Sequence, residues 1–299
     1  MLTVCSLKFQ RVTVAALSEI APYFAGKHAV LSDHSVLYLC MWGDLLGTEY
    51  AIVDDVLYLR RNNKHGISYY PPLLRGEASL AAGIAHLAAL GEQQVQLCAV
   101  PESAVEQVER CCNVIEKGTS RRWADYIYSA EDLATLKGNK YHKKRNLVHQ
   151  FERSYPTNVY EELSSENVGD VIAFMHRFMD DAEMNEDKRY ENQRVLDVLS
   201  EYDRLPIVGG LVRVEGEVAA FTVGEVIDET LLVHVEKADR RFKGAYQYIN
   251  RRFVKEVLKK TPISLVNRED DAGDEGLRQA KLSYYPVDIL HKYHMIVKF

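Results

Sequence analysis

The sequence predicts an α+β protein made of two α/β halves, each a mixed, mostly antiparallel sheet flanked by helices. The chain has 299 residues, of which 47% are hydrophobic, so it can bury two medium-sized cores. Segments with helical periodicity alternate with segments rich in branched and aromatic residues. Pro156, between Ser154 and Thr157, is the clearest break in the middle of the chain. We therefore expect the two halves to meet near this proline.

The first half alternates short strands with amphipathic helices. Asp54 and Asp55 form a predicted hairpin turn between two strands. Ser129, three residues before Asp132, predicts a capping box at the start of a helix. In chain order we expect a helix near Val12 to Phe24, strands at Tyr50 to Val53 and Val56 to Leu59, a helix at Ala78 to Leu90, a strand at Val95 to Val100, a helix at Glu102 to Cys112 and a strand at Ala124 to Tyr128.

The second half contains a predicted antiparallel meander, with Glu215 and Gly216 in its first turn. In chain order we expect a strand at Val159 to Leu163, a helix at Val168 to Asp180, an acidic loop through Met184 to Asp187, a helix near Gln193 to Tyr202, strands at Val208 to Val214, Val218 to Val226 and Leu231 to Val235, a helix with one apolar stripe from Tyr246 to Leu258, a strand at Ile263 to Val266, one more helix and a closing strand near His291 to Val297. The predicted division is an N-terminal domain of residues 1–130, a basic connecting helix over 131–156 and a C-terminal domain of residues 157–299.

Composition and charge narrow the classes of function. The formal net charge of −6 argues against coating nucleic acid by bulk attraction, but it is compatible with a local basic site. No run approaches the roughly 18 to 20 apolar residues of a membrane span, and the start lacks the layout of a signal peptide. We therefore expect a cytoplasmic protein without stable membrane insertion. The five cysteines form no C-x-x-C, so no metal site is expected.

The first candidate site is a basic junction between a strand and a helix, at residues 235–245. Arg240, Arg241 and Lys243 precede a helix that begins near Gly244. Free backbone N–H groups and the positive end of the helix dipole would bind a phosphate or pyrophosphate there. A solvated basic turn, with the glycine kept for tight packing, explains the same pattern equally well.

The second candidate is the basic run at residues 137–145, which continues into an apolar helix. On a helix, Lys140, Lys143 and Lys144 share a face with Phe151. Because these charges cannot enter a dry core, two arrangements are open. The helix end projects into solvent, or the lysines line a cavity that receives an anion such as phosphate, a lipid headgroup or a tRNA backbone.

The third candidate is the polar segment at residues 266–286, which follows an apolar strand and leads into a helix. Open α/β folds place ligand groups at such strand ends, and Arg268 with Glu269 is the sharpest pair. On the helix, Lys281 and Tyr284 share a face. A polar loop with an outward-reaching lysine is an equally good interpretation of the spacing.

Two residues are candidates for proton transfer. Acyl transfer removes a proton from the nucleophile and returns one to the leaving group, roles that Glu236 as base and Tyr284 as acid could fill. A salt bridge and core packing are the commoner roles of such residues. No Gly-x-Ser-x-Gly, P-loop, Gly-x-Gly-x-x-Gly or His-Glu-x-x-His motif occurs, which argues against hydride and phosphoryl transfer.

Three motifs together resemble the soluble C-terminal domain of phosphatidylglycerol lysyltransferases and its stand-alone bacterial relatives. They are Tyr141-His-Lys-Lys-Arg-Asn146; His234-Val-Glu-Lys-Ala-Asp239 with Lys243-Gly-Ala-Tyr-Gln-Tyr-Ile-Asn250; and Asn267-Arg-Glu-Asp-Asp271 with Gly276-Leu-Arg-Gln-Ala-Lys281 and Ser283-Tyr-Tyr-Pro286. The resemblance covers most of the chain. It implies two GNAT-like halves, the fold of the acyl-coenzyme A N-acyltransferases.

The resemblance also implies two kinds of donor. In GNAT enzymes a loop before a long helix holds the pyrophosphate of coenzyme A, and Arg241 and Gly244 resemble that loop. Tyr246 departs from the pattern, because a small residue is expected there. Relatives of the lysyltransferase and Fem type instead accept an aminoacyl group from tRNA, which the basic connecting helix would suit.

We thus expect a transferase that moves an acyl or aminoacyl group from coenzyme A or aminoacyl-tRNA to an amine or hydroxyl of a small-molecule, peptide or lipid acceptor. The alternative is a non-catalytic GNAT-like module that binds an anionic nucleotide, tRNA or lipid headgroup. The expected site comprises proton carriers Glu236 and Tyr284, a phosphate cradle of Arg241, Lys243, Gly244 and Ala245, and substrate-binding Lys143, Lys144, Arg145, Asn267, Arg268, Glu269 and Lys281.

Overall fold

The structure, a computed structural model, describes residues 7–26, 30–180 and 186–299. In the first half, short strands alternate with helices. The elements are β1 (Gln10–Arg11), α1 (Leu17–Ile20), α2 (Val36–Leu46), β2 (Thr48–Val53), β3 (Val56–Asn63), β4 (Gly66–Tyr69), β5 (Leu73–Leu74), α3 (Leu80–Ala88), β6 (Val95–Pro101), α4 (Glu102–Cys111) and β7 (Asn113–Thr119).

The remaining chain contains the meander, the helices around it and further strands of both sheets. The elements are β8 (Asp125–Ser129), α5 (Ala130–Thr135), α6 (His142–Ser154), β9 (Val159–Glu162), α7 (Val168–Asp180), α8 (Glu186–Ser200), β10 (Val208–Val214), β11 (Glu217–Ile227), β12 (Thr230–Ala238), α9 (Ala245–Lys260), β13 (Leu265–Asn267), α10 (Glu275–Leu282), β14 (Asp288–Leu290) and β15 (Lys292–Lys298).

These strands form two sheets, of eight and seven strands in the described part of the chain. The order in the first sheet is β1, β2, β3, β4, β6, β15, β7, with β5 beside β3. The order in the second is β14, β8, β13, β12, β11, β10, β9. The β4–β6 and β12–β13 pairs are parallel, whereas the other neighbours are antiparallel. The prediction of mixed, mostly antiparallel sheets is confirmed.

The sheets exchange strands across the predicted division into residues 1–130 and 157–299, which is corrected at two places. β15, at the end of the chain, lies between β6 and β7 of the first sheet. β8, which precedes the connecting helices, pairs with β13 and β14 of the second. Local periodicity predicts that a segment is a strand. It does not predict which strand will pair with it, because the pairing depends on residues far away in the sequence.

The predicted hairpin turns are confirmed by their backbone angles. Asp54 and Asp55 have φ of 51° and 56°, and Glu215 and Gly216 have φ of 52° and 84°. Two successive residues with positive φ are typical of the type I′ turn, whose twist matches that of the flanking strands. The polar residues at these positions therefore set the register of the β2–β3 and β10–β11 pairs.

One buried cluster contains residues from both halves. It contains Leu37 and Leu57 from the first half and Phe174 and Phe221 from the second. α2 packs directly against α8. Burying a side chain of this size stabilises a fold by roughly 1.5–3 kcal/mol, so the two sheets support each other through this shared core.

Some elements differ from the sequence predictions for identifiable reasons. α2 is apolar almost all round, so no polar face marks its helical period. β7 is an exposed edge strand that includes Glu116 and Lys117, without apolar alternation. The predicted helix near Val12 to Phe24 is a series of single turns. The predicted acidic loop lies outside the described residues except for Glu186 and Asp187, which begin α8.

Candidate active site

A cluster of charged and polar side chains lies where the parallel strands β12 and β13 end. Glu236 is near the end of β12, and Arg268 directly follows β13. Arg268 Nη2 donates to Glu236 Oε1 at 3.1 Å. Asn250 Nδ2, from α9, donates to Glu236 Oε2 at 2.9 Å. The carboxylate is therefore held from two sides, and in turn it orients the guanidinium.

Lys144 and Tyr284 complete this cluster. Lys144 Nζ lies 4.0 Å from the centre of the Tyr284 ring, and Arg268 Cζ lies 4.9 Å from the same centre. Burial and the positive charge of Arg268 lower the pKa of Lys144 to about 8, although Glu236 opposes them. Burial, together with Glu236, raises the pKa of the Tyr284 hydroxyl well above its usual value despite the opposing charge of Arg268.

Several polar atoms of the cluster lack partners within the described residues. Arg268 Nη1 and Asn250 Oδ1 are buried without a hydrogen bond, and Lys144 makes no ion pair with any described residue. Buried polar groups are nearly always paired, so unpaired ones call for a ligand or water. Two cations beside one carboxylate leave one net positive charge. The cluster thus offers a donor, an acceptor and a positive charge to a bound molecule.

A second layer of contacts holds the backbone on which Arg268 sits. His234 lies between two carboxylates, with Nε2 3.0 Å from Glu225 Oε1 and Nδ1 2.6 Å from Glu269 Oε1. Burial alone would lower the pKa of His234, but hydrogen bonds to Glu225 and Glu269 raise it to about 10. The imidazolium therefore clamps Glu269, whose φ of 56° is unusual for a residue with a side chain.

The same clamp reaches the first half of the chain. Glu225 also accepts the backbone N–H groups of Val36, at 3.2 Å, and Leu37, at 3.0 Å. These donors belong to the first turn of α2, where N–H groups have no partner inside the helix. The position of Arg268 is thus coupled to α2 through Glu269, His234 and Glu225.

Three of the predicted substrate-binding residues stabilise the backbone on either side of Arg268. Asn267 donates to Val30 O and Asp125 Oδ2 and accepts the N–H of Glu269. Lys281 Nζ donates to the carbonyl oxygens of Arg268 and Asp270, and burial lowers its pKa to about 8. Asn267, Glu269 and Lys281 are thus occupied by contacts that shape the backbone around Arg268.

The predicted phosphate cradle is largely occupied by contacts within the protein. Arg241 pairs with Asp239 and Glu217, and Lys243 is exposed. Gly244 has a φ of 92°, and a Cβ placed on it would lie 2.4 Å from the carbonyl oxygen of Leu147 in α6. Ala245 is buried beside it. The sequence is compatible with a glycine for phosphate binding or for tight packing, and this geometry supports tight packing of Gly244 against α6.

The predicted basic run divides into different roles. Lys144 lies in the cluster, whereas Lys143 is exposed. Arg145 Nη1 donates to the carbonyl oxygens of Leu136 and Gly138, beyond the end of α5. Lys140 Nζ donates to Asp132 Oδ2 at 3.0 Å. The structure therefore brings together Lys144, Arg268, Glu236 and Tyr284 from three separate predicted motifs.

Asn250 is the cluster residue that sequence reasoning missed. It lies on the buried face of α9 between Ile249 and Phe253, and only 1% of it is exposed. A buried amide among apolar neighbours requires a polar partner. Its position on an otherwise apolar face of the predicted helix is the sequence feature that identifies it.

The described residues include no helix that is long and apolar enough to cross a membrane.

Comparison with known proteins points to one family. A family model described as "Phosphatidylglycerol lysyltransferase, C-terminal" matches residues 25–296. A conserved protein of unknown function from Bacteroides thetaiotaomicron has a similar structure, with a TM-score of 0.89 and 31% identity over 98% of this chain and 100% of that one. The L-PGS from Bacillus licheniformis has a TM-score of 0.63 and 13% identity, over 93% of this chain and 90% of that one.

Two further comparisons are more distant. The structure of FemX has a TM-score of 0.58 and 10% identity, over 95% of this chain and 97% of that one. An uncharacterized protein of Mycoplasmoides gallisepticum is 22% identical over 174 residues, which are 56% of this chain and 54% of that protein. The match thus spans about half the length of that curated relative. The structural likenesses confirm the predicted fold class of two GNAT-like halves.

Proposed function

Because the chain belongs to the family of phosphatidylglycerol lysyltransferase C-terminal domains, we propose that it transfers an aminoacyl group from a charged tRNA to an amine or hydroxyl acceptor. The family's name is that of a transferase that moves a lysyl group to phosphatidylglycerol. The acceptor class proposed here is wider, because the described structure contains no feature that selects among a lipid, a peptide and a small molecule.

The observation that carries the proposal is the set of unpaired polar atoms around Glu236. An aminoacyl ester presents a carbonyl oxygen, which accepts hydrogen bonds, next to an α-amino group, which donates them. Arg268 Nη1 is a free donor and Asn250 Oδ1 a free acceptor among the described residues. These two atoms match the two sides of an aminoacyl group. A simple acyl group lacks the amine and would leave the Asn250 oxygen unpaired.

Arg268 would stabilise the reaction's charged intermediate. Attack on the ester carbonyl turns its oxygen into an oxyanion, and a fixed guanidinium in a partly buried site stabilises that charge strongly. Glu236, which is itself held by Asn250, already holds the guanidinium in place, so little reorganisation is needed. In this proposal Glu236 positions Arg268, and its carboxylate is not the primary base.

Lys144 is the proton carrier that the arrangement supports best. The acceptor must lose a proton, and the ribose oxygen of the leaving tRNA must gain one. With a pKa of about 8, the Lys144 amine exists in both forms near neutral pH. Tyr284 keeps its proton, because its pKa is raised, so it can donate a hydrogen bond and support the Lys144 side chain.

The contacts of the predicted cradle favour tRNA over coenzyme A as the donor. A coenzyme A pyrophosphate would need the first turn of α9, where Gly244 packs against Leu147. Arg241 is already neutralised by Asp239 and Glu217. Lys144 and the exposed Lys143, by contrast, lie in the first turn of α6 next to the cluster.

The test compares two labelled donors, charged tRNA and acetyl-coenzyme A, at one fixed salt concentration, because phosphate contacts depend on salt. Transfer of the aminoacyl label into lipid, peptide or small-molecule fractions is measured. We expect Arg268→Ala to lower kcat by about 100- to 1,000-fold, the usual effect of removing an oxyanion donor. The matched control is Arg204→Ala, which removes an exposed arginine paired with Glu201.

Three outcomes would contradict the proposal. Transfer of acetyl groups alone would make the protein an ordinary acyltransferase. Binding of charged tRNA without any transfer would favour a non-catalytic module. An Arg268→Ala variant as active as Arg204→Ala would show that the chemistry occurs elsewhere.

A further inference from the structure

A row of lysine and tyrosine side chains leads from the surface to the cluster. We call Lys140, Tyr285, Tyr141, Lys144 and Tyr284 the lysine–tyrosine row. Lys140 Nζ lies 4.9 Å from the centre of the Tyr141 ring and 5.8 Å from that of Tyr285. One helical turn further, Lys144 lies over Tyr284, whose ring also contacts Arg268. The row thus has an outer group at the surface and an inner group that reaches Glu236 through Arg268, and in each group cations lie over rings.

The outer end of the row is an exposed aromatic side chain in an unusual backbone conformation. Tyr285 is 46% exposed, and its φ of 54° is left-handed. Bulky residues adopt this conformation at a cost of about 1–3 kcal/mol. The Tyr285 ring meets Tyr141 edge-on, with ring centres 5.6 Å apart and an angle of 89°. Core packing does not account for the position of this ring, because nearly half of the residue faces solvent.

The inner end of the row is built on buried contacts. The Tyr141 hydroxyl lies 3.1 Å from the carbonyl oxygen of Tyr284 and 3.2 Å from Asp132 Oδ2. Asp132 also pairs with Lys140. The start of α6 and the segment after α10 are thus tied together, and the exposed ring of Tyr285 has a fixed place beside them.

We propose that the lysine–tyrosine row binds the unpaired 3′-terminal nucleotides of the charged tRNA, with the Tyr285 ring stacking on a base. This inference rests on the proposed function. Proteins bind single-stranded nucleic acid by combining aromatic faces, which stack on bases, with cations along the backbone. The aminoacyl ester is carried by the last ribose of tRNA, so its terminal nucleotides must lie between the protein surface and Arg268. We assign this path to the row, whose outer end is the exposed Tyr285 and whose inner end contacts Arg268.

An anionic lipid surface is the main competing occupant, since exposed Val287 and Leu282 lie near Tyr285 in the sequence. The order of the side chains favours nucleic acid. Lysines lie over rings at cation–π distances both at the surface and beside Arg268, and the Tyr141 hydroxyl joins the two groups through the Tyr284 carbonyl oxygen. A bilayer would contact only the exposed Lys140 and Tyr285, whereas the end of a nucleotide strand placed on them would continue toward the half-buried Lys144, four residues further along the chain.

The test measures the affinity of two deacylated tRNAs, one intact and one trimmed of its unpaired 3′ nucleotides, for the full chain. We expect Tyr285→Ala to weaken binding of the intact tRNA by about 5- to 150-fold, the range for loss of one stacked base. Binding of the trimmed tRNA should not change. Tyr285→Phe should retain wild-type affinity, since it keeps the ring. The matched control is Val287→Ala, an exposed apolar residue outside the row.

Other results would overturn the inference. Equal effects of Tyr285→Ala and Val287→Ala, or equal effects on intact and trimmed tRNA, would show that Tyr285 stacks on no terminal base. Loss of binding to phosphatidylglycerol vesicles, with tRNA affinity unchanged, would assign the row to a lipid surface. If the wild type binds the intact tRNA preferentially but transfers no aminoacyl group, the proposed function fails and the inference on the row is supported.

Discussion

The cluster around Glu236 contains buried polar atoms without hydrogen-bond partners. Arg268 Nη1 and Asn250 Oδ1 have no hydrogen-bond partner among the described residues, and the Lys144 amine makes no ion pair there, although nearby polar groups such as Asn267 and Lys281 are engaged by hydrogen bonds. A buried unpaired donor or acceptor costs about 1–3 kcal/mol. A ligand that supplies the missing partners would remove this cost, and in the cluster the unpaired donor and acceptor lie beside the same carboxylate, Glu236.

The altered pKa of Lys144 predicts how the reaction depends on pH. A base must be deprotonated, and the pKa of Lys144 is lowered to about 8. We therefore expect kcat/KM of the wild type to rise with pH and to level off above about pH 8. Lys144→Arg should lower the rate and remove this inflection, because a guanidinium keeps its proton throughout that range.

The charges that face Lys144 are Arg268, which lowers its pKa, and Glu236, which raises it. The matched control is Lys143→Arg, which alters the exposed neighbour and should keep the wild-type profile. A rate that falls above pH 8 in the wild type would show instead that the ammonium form is active, as a positively charged binding group.

At the scale of elements, the packing of α6 on α9 determines what the glycine of the basic junction does. Leu147 and Phe151 of α6 lie against Gly244, and Ile249 of α9 packs in the same cluster as Phe151. The start of α9 is therefore an interhelical contact. Lys144 lies one turn before Leu147 on α6, in the cluster. One packing arrangement of α6 therefore covers Gly244 and also places Lys144 in the site.

This packing predicts different effects for two glycines that both have positive φ. Gly244→Ala combines left-handed strain with a Cβ 2.4 Å from Leu147 O, and we expect it to lower the free energy of unfolding by about 2–4 kcal/mol. Gly216→Ala has the same kind of strain, at φ of 84°, but no atom within 4 Å of the added Cβ, so about 1 kcal/mol is expected. Denaturant unfolding measures both values. If the two variants lose the same free energy of unfolding, the contact between α6 and Gly244 does not restrict the added Cβ.

At the scale of the whole molecule, a buried lysine joins the two sheets. Lys292 on β15 of the first sheet has its Nζ 2.7 Å from Asp125 Oδ1, on β8 of the second. It also lies 2.5 Å from Asp33 Oδ2 and 2.9 Å from Ser32 Oγ. Because Lys292 is buried, its charge is stable only while these carboxylates face it. The exchanged strands β8 and β15 thus meet in one ion-pair network.

We expect Lys292→Met to lower the free energy of unfolding by about 3–5 kcal/mol, because it leaves Asp125 buried without its cation and Asp33 with Arg61 alone. Lys298→Met changes an exposed lysine on the same strand and should change stability by less than about 0.5 kcal/mol. The two variants are compared by denaturant unfolding at pH 7. Similar stabilities would argue that water or a rearranged side chain replaces the Lys292 contacts.

The local sequence is sufficient to predict many helices and strands and to identify most residues of the cluster. The meander β10 to β12, its Glu215-Gly216 turn and α4 follow from periodicity and turn chemistry, which act between near neighbours. Lys144, Arg268, Glu236 and Tyr284 were each named from a motif. Local patterns do not predict α2, because a helix that is apolar almost all round has no polar face, and they do not predict β7, because its residues show no apolar alternation.

The sequence by itself determined the order of most elements, the turns and which charged residues required a partner. Only the tertiary structure decided that β15 joins the first sheet, that Gly244 is covered by α6 and that Asn250 enters the cluster. It also separated Arg268, with a free donor, from Asn267, Glu269 and Lys281, whose polar groups are engaged. The physical reason is that burial and charge pairing depend on distances between residues far apart in the chain, as for Lys292 and Asp33, which local patterns do not encode.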